Sequence, residues 1–186
     1  PGEAKIKFSV DLKNKLIAKH GKTTYVGSKS SNMVHTLKTG RKFVLTVNNR
    51  AHKMYVRKNG KKVKTFGVSL GKSTYQTRSG VKVLSDVKYK ALRMRGTDRY
   101  TGEKWDVVSP YSMPLTTNGE FIHGAPWARY RIGYANGSHG CTNMNPEDAR
   151  WLYYRVRKGD PVVTKGTGRK MYSGLAFTEG KPYAYS

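Results

Sequence analysis

Asn59-Gly60 sits between two runs of alternating apolar and polar residues, and no other feature of the chain restricts its fold as much. Asn-Gly readily takes the two left-handed backbone conformations of a type I′ turn, whose twist matches that of paired strands. Upstream, Phe43, Leu45 and Val47 alternate with polar neighbours, as do Met54 and Val56. Downstream, a return strand runs through 63–70 until Gly71, and 81–84 opens another short strand. Residues 43–95 therefore read as a β-meander, and the fold as mainly β. The one convincing helix comes late, with Asn145 as N-cap, Pro146 at the first helical position, and Glu147 and Asp148 in the first turn. Ala149, Leu152, Tyr153 and Val156 give it one inward face, and Gly159 stops it before a strand at 161–164.

The rest of the chain is less regular. Residues 5–10 alternate, and a loop rich in Lys, Gly and Ser follows up to Gly40, so 1–42 is too short for a core of its own. Residues 96–119 hold Gly96, Gly102, Pro110, Pro114 and Gly119 without a period and read as a long loop, a lid or binding element. No structure is assigned to 165–186. With 186 residues, the chain holds one domain of typical size and a fragment of another. It opens Pro1-Gly2 without a signal peptide, which reads as a trimmed or mature form. No apolar run exceeds Phe43-Val44-Leu45, far short of the ~20 residues of a membrane-spanning helix.

The net charge is +25, and it is concentrated toward the N-terminus: residues 1–100 carry 25 basic and 4 acidic side chains, the remainder 11 and 7. Such an excess favours anionic partners and says nothing of fold. Between 101 and 150 there are 4 basic and 5 acidic residues, so chemistry located there does not lie in a simple cationic groove. The basic half has no RRM-like aromatic motif, zinc-finger spacing or long basic amphipathic helix, and no specific nucleic-acid partner is expected.

The residues that carry chemistry lie in that balanced stretch. Ser138-His139-Gly140-Cys141-Thr142-Asn143 immediately precedes the helix, and His123 lies near the end of a short strand at 120–124. Cys141 is the only cysteine, which excludes an intramolecular disulfide and any multi-cysteine zinc site. A thiol of ordinary pKa, ~8.5, needs an imidazole or other positive potential to act as a nucleophile. His139 would turn to the same side as Cys141 on an extended backbone, and His123 could face it from the neighbouring strand. Gly140 permits a tight path that aims the Gly140 and Cys141 amides at a developing oxyanion. Nucleophile, base and anion hole are the parts of acyl transfer. Three other readings remain open here: Cys141 as a small buried hydrophobe, a zinc hydrolase using His123, His139 and Cys141, or a basic wall- or nucleic-acid-binding module without catalysis.

Ser138-His-Gly-Cys-Thr-Asn-Met144, preceded by Ile122-His-Gly-Ala-Pro-Trp127, resembles the catalytic signature of the L,D-transpeptidases, the YkuD-type domain, in its actinobacterial form. Val68-Ser-Leu-Gly-Lys72 and Thr77-Arg-Ser-Gly80 belong to the same resemblance, which runs from Phe43 to about Thr164. It implies a β-sandwich or mixed-sheet catalytic domain at 43–166, the end of an immunoglobulin-like domain in 1–42, and a C-terminal extension at 167–186. It also implies that Cys141 attacks a meso-diaminopimelate carbonyl, or an equivalent one, in a peptidoglycan tetrapeptide stem and expels D-alanine. The thioester then passes to an amine of a second stem, giving a 3→3 cross-link, or to a protein amine or water. By the same resemblance His123 is the general base and His139 orients the site, while the amides of His139, Gly140 and Cys141 form the oxyanion hole. Ser138 and Asn143 support the loop and the substrate, Trp127 walls the cleft, and Tyr111 and Met113 line a lid. Gly124 stands where many relatives carry Ser, in a position to contact substrate. Neither cofactor nor metal is implied. The setting is the wall of a bacterium, outside the cytoplasm, with carbapenem-type β-lactams as inhibitors and anionic wall polymers as a further partner for the lysine-rich half.

Overall fold

The computed structural model describes residues 42–171 in full and, before them, the backbone of four strands. These are β1 (Gly2–Val10), β2 (Leu16–His20), β3 (Thr23–Gly27) and β4 (Ser31–Thr39). The chain divides into two compact units between Lys42 and Phe43. In the first, β1 pairs antiparallel with β4 along its whole length, and β2 pairs with β3. The strand expected at 5–10 is present and longer, and the stretch read as loop up to Gly40 contains three more strands. Their Ile, Val, Thr and Tyr residues favour strands, but they are scattered among the lysines and glycines that signalled a loop.

The second unit contains two mixed sheets and one helix, in agreement with the expected mainly β class. Its elements in chain order are β5 (Phe43–Asn48), β6 (Lys53–Lys58), β7 (Lys61–Gly67), β8 (Gly80–Val83), β9 (Tyr89–Thr97), β10 (Lys104–Pro114), β11 (Phe121–Gly124), β12 (Thr142–Met144), α1 (Pro146–Tyr153) and β13 (Pro161–Lys165). One sheet has the order β7-β6-β5-β13-β8, with β13 parallel to β5; the other is β12-β11-β10-β9, with β12 parallel to β11. Asn59 and Gly60 take φ of 51° and 83°, the conformation the turn between β6 and β7 was expected to need. Alternation along β5 and β6 buries Phe43, Leu45, Val47, Met54 and Val56, which join Val68, Leu70, Met113, Ile122, Met144 and Leu152 in one core. Each such side chain contributes about 1.5–3 kcal/mol by leaving water. β7 is an edge strand whose Lys61, Lys62 and Lys64 are exposed, and such charges discourage pairing with another chain.

Two expectations are corrected. The supposed loop at 96–119 is largely the β9–β10 hairpin, whose connection spans 98–103 and whose second strand reaches Pro114. The prolines concealed it. Pro110 is tolerated because that part of β10 has only β9 beside it; Tyr111 takes a left-handed φ of 54° while the pairing with β9 resumes in the same register at Ser112. The helix begins where expected but ends at Tyr153, well before Gly159, and Asn145 makes no capping bond with its side chain. Val156 is buried from the turns that follow rather than from the helix.

Between β7 and the turn at 73–75, the chain leaves the five-stranded sheet and runs beside the other. Ser69 exchanges backbone bonds with Asn143 of β12 (3.0 and 2.8 Å), and Lys72 N donates to Ser138 O at 2.9 Å. This crossing strap holds the Cys141 loop against the core. The expected C-terminal extension falls mostly outside the described residues; within them, Met171 N donates to Ser79 O at 2.7 Å.

Candidate active site

Cys141 ends the loop that enters β12, and His123 is the third residue of the neighbouring parallel strand β11, opposite Asn143. Both line one cleft, together with Trp127, Arg131, Ser138 and His139. A second cleft, lined by Arg93, Arg95, Gly119 and Phe121, also reaches Cys141. Met94, Trp105, His139 and Cys141 line both and form the ridge between them.

His123 is only 3% exposed, and its Nδ1 lies 2.9 Å from the carbonyl oxygen of Gly124. A carbonyl can only accept, so Nδ1 carries the proton and Nε2 the lone pair. Burial lowers this imidazole to about 4, opposed by that hydrogen bond, so at neutral pH the ring is uncharged. Cys141 is half-buried, with Sγ 3.6 Å from Gly119 O, and burial pushes its thiol up to about 12. The resting pair is neutral on both sides. A base with a free lone pair is therefore present, but a standing thiolate is not.

His139 occupies a different niche. Its Nε2 donates to Asp98 Oδ2 at 3.0 Å, and its ring stacks on Trp105 at 5.6 Å and meets the edge of Tyr75 at 4.8 Å. Asp98, 2% exposed, also accepts from Lys72 Nζ (2.6 Å), Tyr75 Oη (3.1 Å) and the amides of Tyr100 and Thr101. The Lys72 ammonium foremost, then the Tyr100 amide and His139, hold its carboxyl far below the usual range. Asp98 thus joins the start of the β9–β10 connection to the strap and to the cysteine loop. Trp105 completes that junction by lying across Gly96, where a Cβ would come within 2.6 Å of its ring. None of Asp98, Lys72, Tyr75 or Trp105 was assigned a role from the sequence; the Gly-Lys of the strap was the only signal of them.

The remaining candidates separate. Ser138 accepts from Gly140 N at 3.1 Å and donates to Cys141 O at 2.6 Å, so it braces the loop. The Gly140 amide is thereby committed to Ser138 instead of facing an oxyanion. Thr77 Oγ1, which accepts from Gly71 N, donates to Gly140 O at 2.8 Å and ties the strap to the same loop. Asn143 lines the first cleft with its Oδ1 buried and unpartnered among the described residues. Trp127, 42% exposed, walls that cleft beside the His123 ring, 5.9 Å away. Tyr111 and Met113 form no lid: Met113 is fully buried in the core beside Ile122, and Tyr111 packs on Tyr153 and Tyr154. Gly124 lines neither of these two clefts. A Cβ there would come within 2.9 Å of Pro110 and 3.1 Å of Pro146, so a serine would not fit, and the residue acts through the carbonyl that orients His123. Among the described residues no three His, Cys, Asp or Glu side chains gather as a metal site, so the three-ligand zinc alternative has no cluster to rest on. No helix among them is long and apolar enough to cross a membrane.

Comparison with known proteins agrees with this geometry. The model of the YkuD family, the L,D-transpeptidase catalytic domain, matches residues 42–164. L,D-transpeptidase 1 of Mycobacterium tuberculosis is 32% identical over 124 residues, 62% of this chain and 47% of that protein. L,D-transpeptidase 2 from the same species is 31% identical over 134 residues, 69% of this chain and 32% of that protein. The chain thus spans half or less of the length of these two relatives. Among solved structures, L,D-transpeptidase 3 of M. tuberculosis in complex with a faropenem-derived adduct superposes with a TM-score of 0.63 at 28% identity, covering 77% of this chain and 66% of that one. Over residues 42–164, from β5 to β13, this chain belongs to the YkuD family of L,D-transpeptidase catalytic domains.

Proposed function

We propose that the protein is a cysteine-dependent L,D-transpeptidase acting on peptidoglycan stems. The observation that carries this reading is the neutral, buried His123, its free lone pair on Nε2, in the same cleft as the only thiol of the chain. As Sγ of Cys141 bonds to the carbonyl carbon of the third stem residue, its proton passes to Nε2 of His123. Because the resting thiol is protonated, this transfer accompanies attack. The tetrahedral oxyanion is met by the amides of His139 and Cys141, Gly140 N being held by Ser138. The carbon–nitrogen bond to D-alanine breaks, the proton on His123 goes to that amine, and a thioester remains. An acceptor amine then attacks the thioester and gives up a proton through His123. The new amide is the 3→3 cross-link, and the thiol is restored. Two clefts meeting at one sulfur suit a donor and an acceptor stem. The unpartnered Asn143 Oδ1 suits an N–H of a bound stem.

Such a substrate places the enzyme outside the cytoplasm, at the bacterial wall. On this reading 43–166 is the catalytic domain, 1–42 the end of an immunoglobulin-like domain and 167–186 an extension. Incubation with a tetrapeptide stem, or with a carbapenem-type β-lactam, a chemical neighbour of the penem faropenem whose derived adduct is seen on a relative, is expected to add one acyl mass to Cys141. Digested peptidoglycan should then contain new 3→3 muropeptides. If intact-protein mass spectrometry finds no acylation of a demonstrably reduced thiol, the reading fails.

The exposed lysines of β6 and β7 are proposed to hold anionic wall polymers. Retention on isolated walls should fall steeply as salt rises, since screening shortens to ~3 Å at 1 M. Salt-independent retention would contradict this.

A further inference from the structure

Beneath the cysteine loop lie three charged side chains withdrawn almost completely from water. Lys82 is 0% exposed, Glu120 4% and Arg78 5%. Lys82 Nζ lies 2.6 Å from Glu120 Oε2; Glu120 Oε1 accepts from Arg78 Nη1 at 2.9 Å and from the Arg78 amide at 3.1 Å. The cluster has its cations on and beside β8 of one sheet and its anion one residue before β11 of the other, so it fastens the two sheets where the site opens. Buried ion pairs add little to stability compared with apolar packing, because each charge must be desolvated. A buried cluster that also carries one cation in excess calls for another role.

Its position suggests one. Glu120 sits three residues before His123, and its Cγ lies 3.9 Å from where a Cβ on Gly140 would stand, directly under the nucleophile loop. We propose that Lys82 is a positioning residue for acyl transfer: its buried ammonium biases the floor of the site toward negative charge on the Cys141 sulfur, and Glu120 sets how much of that bias the sulfur feels. The electrostatics agree in sign. Lys82 lowers the Cys141 thiol and Glu120 raises it, and the sulfur acts back on Lys82. For its influence on acyl transfer the proposal rests on Cys141 being the nucleophile. The other titratable or charged groups lining the two clefts that reach Cys141 are His123 from β11, His139 from its own loop, Tyr130 and Arg131 at the first cleft, and Arg93 and Arg95 at the second. They stay constant in the test below.

Iodoacetamide consumes thiolate and needs no transpeptidase activity, so alkylation rates of Cys141 test the proposal separately from the proposed function. Lys82→Met is expected to slow alkylation at pH ~8 by roughly tenfold and Glu120→Gln to speed it by roughly tenfold, since removing either partner exposes the full field of the other in a medium of low dielectric. Lys82→Arg, which keeps the charge, should stay close to the unmodified protein. A merely structural cluster would give changes of the same sign in the first two variants. That outcome, or a rate unchanged in both, overturns the proposal. Glu120→Gln keeps the shape of the side chain and one acceptor oxygen while removing the negative charge. If Lys82→Met does not fold, the direction of the Glu120→Gln change decides.

Discussion

Replacement of Cys141 by alanine is expected to lower transpeptidation by at least ~10⁴-fold and to remove every covalent adduct, with serine little better. The expectation follows from the chemistry of the loop. No other thiol exists in the chain, so nothing can take over as nucleophile, and any acyl mass must belong to this residue. Sγ makes a long contact of 3.6 Å to Gly119 O and is also touched by the Phe121 backbone, contacts too weak to anchor the loop. The loop is held by Ser138, Thr77 and the strap, through backbone oxygens and amides that a change of side chain leaves in place. The melting temperature should therefore move by only a few degrees, about what a surface-proximal truncation costs. Turnover is followed with a tetrapeptide donor and an amine acceptor, and folding by circular dichroism. Substantial residual transfer by a folded Cys141→Ala protein would show that the acyl group is never carried on sulfur.

The sequence made the proposed reacting groups legible but not their supports. Cys141, His123 and the stretch between them could be named because short-range chemistry limits which residues can do acyl transfer, and the motif is compact. The β6–β7 hairpin was equally readable, since Asn59-Gly60 acts locally. By contrast, Asp98 lies in a connection whose composition says only turn, and its five partners come from the strap, the hairpin and the cysteine loop. The Arg78–Glu120–Lys82 cluster was hidden for the same reason: Lys82 alternates along β8 as a solvent-facing lysine would, yet it is completely buried.

The misread residues follow the same logic. Tyr111 and Met113 were assigned to a lid because prolines at 110 and 114 suggested a loop, whereas sheet pairing overrides that local signal once β9 supplies a partner. Gly124 looked like a lost hydroxyl. In the folded chain it is a close approach of backbone to Pro110 and Pro146, which no inspection of neighbours in sequence reveals. The hydrogen bond from the Gly140 amide to the Ser138 hydroxyl, which takes that amide away from the proposed anion hole, is likewise a matter of loop geometry.

His123→Ala should lower kcat/KM by about 10²–10⁴-fold, the usual worth of a general base, and His139→Gln considerably less. The asymmetry comes from what each ring is bonded to: His139 Nε2 donates to Asp98, whereas His123 uses Nδ1 on Gly124 O and keeps Nε2 unprotonated. The pH profile sharpens the test. Burial lowers the His123 imidazole to about 4, so the base stays available well below the ordinary 6.5, and the acid limb of kcat/KM should fall near pH 4. Stability follows the same group with a definite sign. The unfolded chain takes up this proton near 6.5 and the folded one only near 4, so the contribution is complete above 6.5 and is lost as pH falls toward 4, about 3 kcal/mol in all. A folded His123→Gln protein should lack that share of the acid destabilisation, measured by urea unfolding at a series of pH values. An acid limb near the ordinary 6.5 would contradict a buried, neutral His123 as base, and an almost normal rate in His123→Ala would transfer that role to His139.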